Sequence, residues 1–176
     1  MAKLLDVSTL EYSVIKNNNF VEYMDSPFGI LEVCADQDGV TAIYFVKDKC
    51  KTPNWCLNTQ QAVEQLNQYF VGKRTRFNLN LNAKGTHFQQ QVWQKLSTIK
   101  YGQTCSYSDI AKGINNPKAV RAVGAANGRN PLAIVVPCHR VVGSNGTLTG
   151  YAWGMSIKAS LLQLEQNAVC SNFLDN

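Results

Sequence analysis

The feature that most constrains this chain is a change of hydrophobic period near residue 84. Before it, apolar residues come in short runs parted by turn formers; after it, they recur at helical spacing. Residues 20–25, 29–35 and 40–46 read as strands, separated by Ser26-Pro27-Phe28 and by Asp36-Gln37-Asp38-Gly39, which predicts an antiparallel meander. Asn58 is placed to cap a helix running to about Val71, with Ala62, Leu66, Tyr69 and Phe70 on one face and Gly72 ending it. Phe77, Leu79 and Leu81 alternate with asparagines as a further half-buried strand does. From Thr86, the positions Phe88, Val92, Trp93, Leu96 and Ile99 mark a helix stopped by Tyr101-Gly102. Residues 106–114 predict a short helix, 113–117 a corner, and 118–127 a second helix that Pro117 opens. Two short helices across a tight corner make a helix-turn-helix pattern. The expected class is α+β: residues 1–84 a small antiparallel sheet with a helix, residues 85–176 a mostly helical domain.

Charge divides the same way. Residues 1–83 carry eight Lys/Arg against nine Asp/Glu, whereas residues 84–165 carry nine against two, Asp109 and Glu165. A basic half joined to a neutral one suits a polyanionic partner, most commonly nucleic acid, although plain solubility charge gives the same count. The chain has no apolar run of membrane-spanning length, and Asp6 interrupts its opening residues where a signal peptide would be apolar. A cytoplasmic, soluble protein without a membrane partner is expected.

Six cysteines are present, none in a Cys-x-x-Cys pair, and with two histidines in the chain a zinc site of ordinary spacing is hard to assemble. No metal is expected, and most of the thiols read as small core residues. The reactive candidate stands out by its neighbours. Residues 132–136 are wholly apolar, read as a strand, and deliver Pro137-Cys138-His139-Arg140. A thiol attacks as thiolate, so it needs a base; a histidine supplies one, and a carboxylate fixes the histidine's tautomer. Glu165, the one carboxylate between Asp109 and Asp175, sits on an apolar helical stretch with Ile157, Leu161, Leu162 and Leu164. Adjacent side chains rarely point the same way, so Cys138 and His139 need a sharp turn or a bridging water. Taken alone, the dipeptide equally describes a core thiol beside a surface imidazole.

The longer string Asn130-Pro-Leu-Ala-Ile-Val-Val-Pro-Cys-His-Arg-Val closely resembles the active-site signature of the methylated-DNA–protein-cysteine methyltransferases, the O6-alkylguanine-DNA alkyltransferases. The likeness runs from about residue 85 to 165. It includes Val92-Trp93, Ser106-Tyr107, the run from Asn116 to Gly124, Gly150-Tyr151, Lys158 and Glu165. The first 84 residues are similar to the family's variable N-terminal domain, of ribonuclease H-like form, through the Ser-Pro-Phe-Gly turn. The resemblance implies direct, irreversible, single-use transfer of an alkyl group from O6 of guanine, and O4 of thymine, to Cys138. His139 and Glu165 would form the relay, through water; Tyr107 would donate to the departing guanine; Asn130 would brace the turn before the cysteine. Arg121 would enter the base stack in place of the flipped nucleotide. Ala122, Ser106 and Tyr151 would face the DNA, the small residues permitting close approach in the minor groove. The implied partner is double-stranded DNA containing O6-alkylguanine, bound by a monomer with no cofactor and no obligate protein partner.

One departure bears on specificity. Family members often carry Ser-Gly after the Gly-Tyr pair, whereas Ala152-Trp153 follows Gly150-Tyr151 here. The missing hydroxyl leaves backbone N–H groups to hold the substrate, and a bulky Trp153 predicts poor tolerance of large adducts.

Overall fold

The computed structural model describes residues 20–174, with side chains to residue 169; the opening segment around Asp6 and the Cys170 thiol lie outside the described part. Three strands, β1 (Phe20–Ser26), β2 (Gly29–Ala35) and β3 (Val40–Val46), form an antiparallel sheet in the order β1-β2-β3. Both turns follow from side chains. Ser26 Oγ accepts Phe28 N–H at 3.2 Å, and Asp36 Oδ1 accepts the N–H groups of Asp38 and Gly39 at 3.0 Å each. Leu31, Val33 and Ile43 pack with Ala62, Leu66 and Tyr69 of helix α1 (Leu57–Phe70) into one buried core.

Two expectations fail in this half. Asn58 does not cap α1: Cys56 is the N-cap, and Thr59 Oγ1 accepts its N–H at 3.0 Å. Asn58 instead donates from Nδ2 to the Asp36 carbonyl at 2.9 Å, tying the helix to the β2–β3 turn. Residues 77–82 form no strand beyond a bridge of Leu81 to Val40, because Gln65 of α1 captures the Asn78 backbone at both N–H and C=O, each at 2.8 Å. Those groups are satisfied without a ladder.

The second half contains α2 (His87–Leu96), α3 (Tyr107–Gly113), α4 (Val120–Gly128) and α5 (Met155–Leu174). Thr86 and Gln89 close the start of α2 reciprocally, and Ser106 and Asp109 do the same for α3. Trp93 fixes α2 on α4 by donating Nε1–H to the Ala126 carbonyl at 2.9 Å. The corner differs from expectation: Pro117 lies in a turn, closed by Ala119 N–H to the Asn116 carbonyl at 3.0 Å, and α4 starts at Val120. Asn115, at φ 56, turns the chain first, a conformation asparagine tolerates. A short parallel pair, β4 (Cys105–Ser106) with β5 (Val141–Val142), joins the front of α3 to the segment after Arg140.

The apolar run 132–136 is a turn, not a strand. Val136 N–H bonds back to the Leu132 carbonyl at 3.0 Å and Val135 N–H to Ala133 at 2.7 Å, with Ile134 at φ 69. A β-branched residue in the left-handed region costs about 1–2 kcal/mol; complete burial of Ile134 offsets it. It is linked to the sheet at β3, where Ile43 N–H bonds to the Pro131 carbonyl and Ala133 N–H to the Ile43 carbonyl. The N-terminal sheet thus holds the turn that presents the cysteine.

Candidate active site

Cys138 opens a single 3-10 turn, Cys138–Arg140, directly after Pro137. Asn130 builds the approach. Its Oδ1 accepts Leu132 N–H at 3.0 Å, and its Nδ2 donates to the Val136 carbonyl at 2.8 Å and to Cys138 Sγ at 3.1 Å. One amide therefore closes the turn and touches the sulfur. Asn127 adds a long contact to the Cys138 carbonyl at 3.5 Å. Cys138 is 2% exposed, and burial pushes its thiol up to about 11 against the opposing effects of the Asn130 bond and Lys158. Burial thus favours the protonated thiol at rest, so the sulfur needs a base to become a thiolate.

His139 is fully buried, with Nε2 at 2.8 Å from Glu165 Oε1. Burial raises the proton affinity of Glu165, yet the bonds from His139 and Arg140 bring it down to about 2, so it is a carboxylate at neutral pH. A carboxylate only accepts, which puts the His139 proton on Nε2 and leaves Nδ1 as the basic lone pair. Nδ1 has no hydrogen-bond partner among the described residues. Burial lowers the basicity of His139, and Glu165 pulls the other way; the net shift is downward, so the ring is neutral and can accept a proton.

Glu165 is held by five groups. Oε1 accepts from Tyr69, His139 and Arg140 Nη2; Oε2 accepts from Arg140 Nε and Gly102 N–H, all between 2.8 and 3.0 Å. Gly102 has φ 72, and a Cβ there would lie 2.8 Å from Val169 Cγ2, so only glycine brings that N–H so close. Arg140 also donates to the Ile99 carbonyl and lies 5.6 Å over the Tyr101 ring. Sequence reasoning missed Arg140 and Tyr69: the first reads as one of several basic residues, the second as core by its helical spacing.

The remaining candidates line the outer side. Tyr107, first residue of α3, directs its hydroxyl to the Thr149 carbonyl at 3.3 Å, beside Gly150. Lys158 is wholly buried and grips the same loop, donating to Thr149 and Val141 carbonyls at 2.6 Å each. Burial above all, with Cys138 and Glu165 adding, raises the Tyr151 hydroxyl far above its ordinary range, so it is a neutral donor. Trp153 packs against Tyr151 and against Tyr44 and Phe45 of β3, with ring centroids 5.2 to 6.5 Å apart. Ser106 is engaged in capping α3, while Arg121 and Ala122 are exposed in the first turn of α4. Cys138 with Asn130, and His139 with Glu165, thus form two bonded pairs joined through the backbone of the 3-10 turn; Tyr107 and Tyr151 border them, and Ser106, Arg121 and Ala122 lie on the helix-turn-helix. Cys105 is half-buried and its thiol is raised by burial. Among the described residues, no group of three or more His, Cys, Asp or Glu side chains gathers as metal ligands.

Residues 87–167 match the family described as 6-O-methylguanine DNA methyltransferase, DNA binding domain, and residues 19–83 match its ribonuclease-like domain. The chain belongs to the 6-O-methylguanine DNA methyltransferase family. It is 48% identical over 147 residues to a methylated-DNA–protein-cysteine methyltransferase of Methanosarcina acetivorans, covering 80% of this chain and 94% of that protein. The crystal structure of the Mycobacterium tuberculosis O6-methylguanine methyltransferase superimposes with a TM-score of 0.78 at 42% identity, over 86% of this chain and 94% of that one. A second M. tuberculosis structure, solved in complex with DNA, is 44% identical with the same TM-score and covers 85% and 94%. As in those 6-O-methylguanine DNA methyltransferase relatives, the fold is α+β, with a small antiparallel sheet first and helices after it.

Proposed function

We propose that this protein repairs double-stranded DNA by moving an alkyl group from O6 of guanine, and from O4 of thymine, onto Cys138. The observation that carries this reading is the buried Cys138-His139 pair whose imidazole is bonded to a charged carboxylate, within a chain of this family. His139 Nδ1 takes the thiol proton through a water, while Glu165 stabilises the imidazolium that results. Sγ displaces the oxygen in line at carbon: the S–C bond forms as the C–O bond breaks. The departing guanine gains negative charge, to which Tyr107 donates a hydrogen bond or a proton. The product is a thioether, which thiol exchange does not reverse, so each molecule acts once. No cofactor or metal enters this displacement.

The lesion reaches a buried sulfur only if the nucleotide swings out of the duplex. In our reading α4 enters the minor groove, Arg121 fills the gap in the stack, and Ala122 permits close approach. Ser106, Tyr107 and Tyr151 face the flipped base. The protein works as a monomer in the cytoplasm without an obligate protein partner; among the described residues no helix is long and apolar enough to cross a membrane. We also read residues 1–84 and 85–176 as the support and alkyl-transfer domains.

The test is to incubate the protein with duplex DNA containing O6-methylguanine, then digest it and weigh the peptides. One methyl per molecule on the Cys138 peptide is the expected result. A methyl elsewhere, none at all, or repeated turnover overturns the reading.

A further inference from the structure

Among the described residues, the one side chain from the N-terminal half that bonds to Glu165 is Tyr69 of α1, 96 positions away in sequence, whose hydroxyl donates to Oε1 at 2.8 Å. Its ring is enclosed by Phe70, Phe77 and Tyr101, with centroids 5.4 to 5.9 Å away. A phenylalanine would fill that space as well. The hydroxyl, by contrast, is buried and costs stability unless bonded, and its partner is the same oxygen that receives the His139 N–H. We propose that Tyr69 is a positioning residue for alkyl transfer, holding Glu165 Oε1 and taking up part of its charge so as to limit how hard Glu165 pulls on His139. This rests on the function proposed above.

The physical basis is competition for one acceptor. In a buried site each donor polarises the oxygen it binds, and removing one strengthens those that remain. Outer partners tune the basicity of an inner group in this way. The groups facing the His139–Glu165 pair are Tyr69 from α1, Tyr101 and Gly102 from the loop after α2, and Cys138 and Arg140 from the 3-10 turn. Among the described residues, Tyr151 and, on α5, Lys158 complete the set. Cations Arg140 and Lys158 oppose protonation of His139, and Glu165 favours it. Withdrawal of the Tyr69 hydroxyl shifts this balance toward the imidazolium.

The chain has two histidines, so an NMR titration of the imidazole rings reads His139 directly, with exposed His87 as an internal control. In Tyr69→Phe, His139 should protonate at higher pH by about half a unit or more. The acid limb of the methyl-transfer rate should move by the same amount while His87 stays put. Phe77→Leu, chosen to cost a similar loss of melting temperature while keeping the hydroxyl, should leave both unmoved. Replacing Tyr69 with 3-fluorotyrosine, a stronger donor of nearly equal size, should move His139 the other way and covers the case in which Tyr69→Phe does not fold. An unmoved or lowered His139 titration in Tyr69→Phe, or an equal shift in Phe77→Leu, overturns the role of Tyr69 alone. A wild-type protein that transfers no methyl overturns the function on which it rests.

Discussion

Asn130 controls the sulfur more directly than its size suggests. Its amide meets the Leu132 N–H, the Val136 carbonyl and Cys138 Sγ, so Asn130→Ala strands several buried groups at once. Leaving them unpaired is expected to cost on the order of 3 kcal/mol, measured by denaturant unfolding, and to slow transfer further through a displaced thiol. Burial holds Cys138 protonated and closed off. A small thiol reagent should therefore label exposed Cys50 quickly and Cys138 slowly, as peptide mass analysis can time. Fast labelling of Cys138 in the folded protein contradicts this. Trp153 acts through its neighbour: it stacks edge-on against Tyr151 and braces the loop on β3. Trp153→Gly should loosen that loop and speed reaction with a bulky O6-substituted guanine relative to the methyl lesion. An unchanged ratio of the two rates would count against it.

At the scale of elements, α4 is set on α2 by Trp93 and presents Arg121 to solvent. Arg121→Ala should weaken duplex binding and lower the slope of log affinity against log salt by about 1. It should also slow repair in duplex DNA far more than reaction with free O6-methylguanine base, which needs no flipping. Equal slowing on both would place the arginine elsewhere. The elements also mark how far the sequence could be read. Short apolar runs, the turn formers at 26–28 and 36–39, and the helical spacing from Phe88 to Leu96 are local signals, and the meander and α2 follow from them. The run 132–136 misleads because its composition favours a strand, while Asn130, outside the run, folds it into a turn. Residues 77–82 mislead likewise: their alternation is real, but Gln65 of another element takes the backbone bonds of Asn78. Pro117 suits a helix start, yet the left-handed Asn115 before it places a turn there first.

In the whole molecule, the carboxylate Glu165 joins α1, the loop after α2, the cysteine turn and α5. Its contact with His139 was readable because carboxylates are scarce after Asp109; the Tyr69 and Arg140 bonds were not, since no local pattern links residues so distant. The same network makes stability depend on pH. Glu165 is held at about 2, below an ordinary 4.5, so its contribution is complete above pH 4.5 and is lost as pH falls from there toward 2. That window holds on the order of 3 kcal/mol. His139, less basic when folded, adds in the same direction below its ordinary range. Glu165→Gln should be less stable at neutral pH but flatter in acid, as thermal melts between pH 3 and 7 would record. A parallel decline in both proteins argues against this carboxylate as the cause.

The closed packing around the sulfur has a last consequence. A methyl on Sγ adds volume where Cys138 has 2% of its surface free, and it intrudes on the Asn130 amide that locks the turn. On the proposed function, the spent protein would be strained by its own cargo. It should melt several degrees below the fresh one, and a cell that clears less stable chains would discard it without needing to recognise the adduct itself.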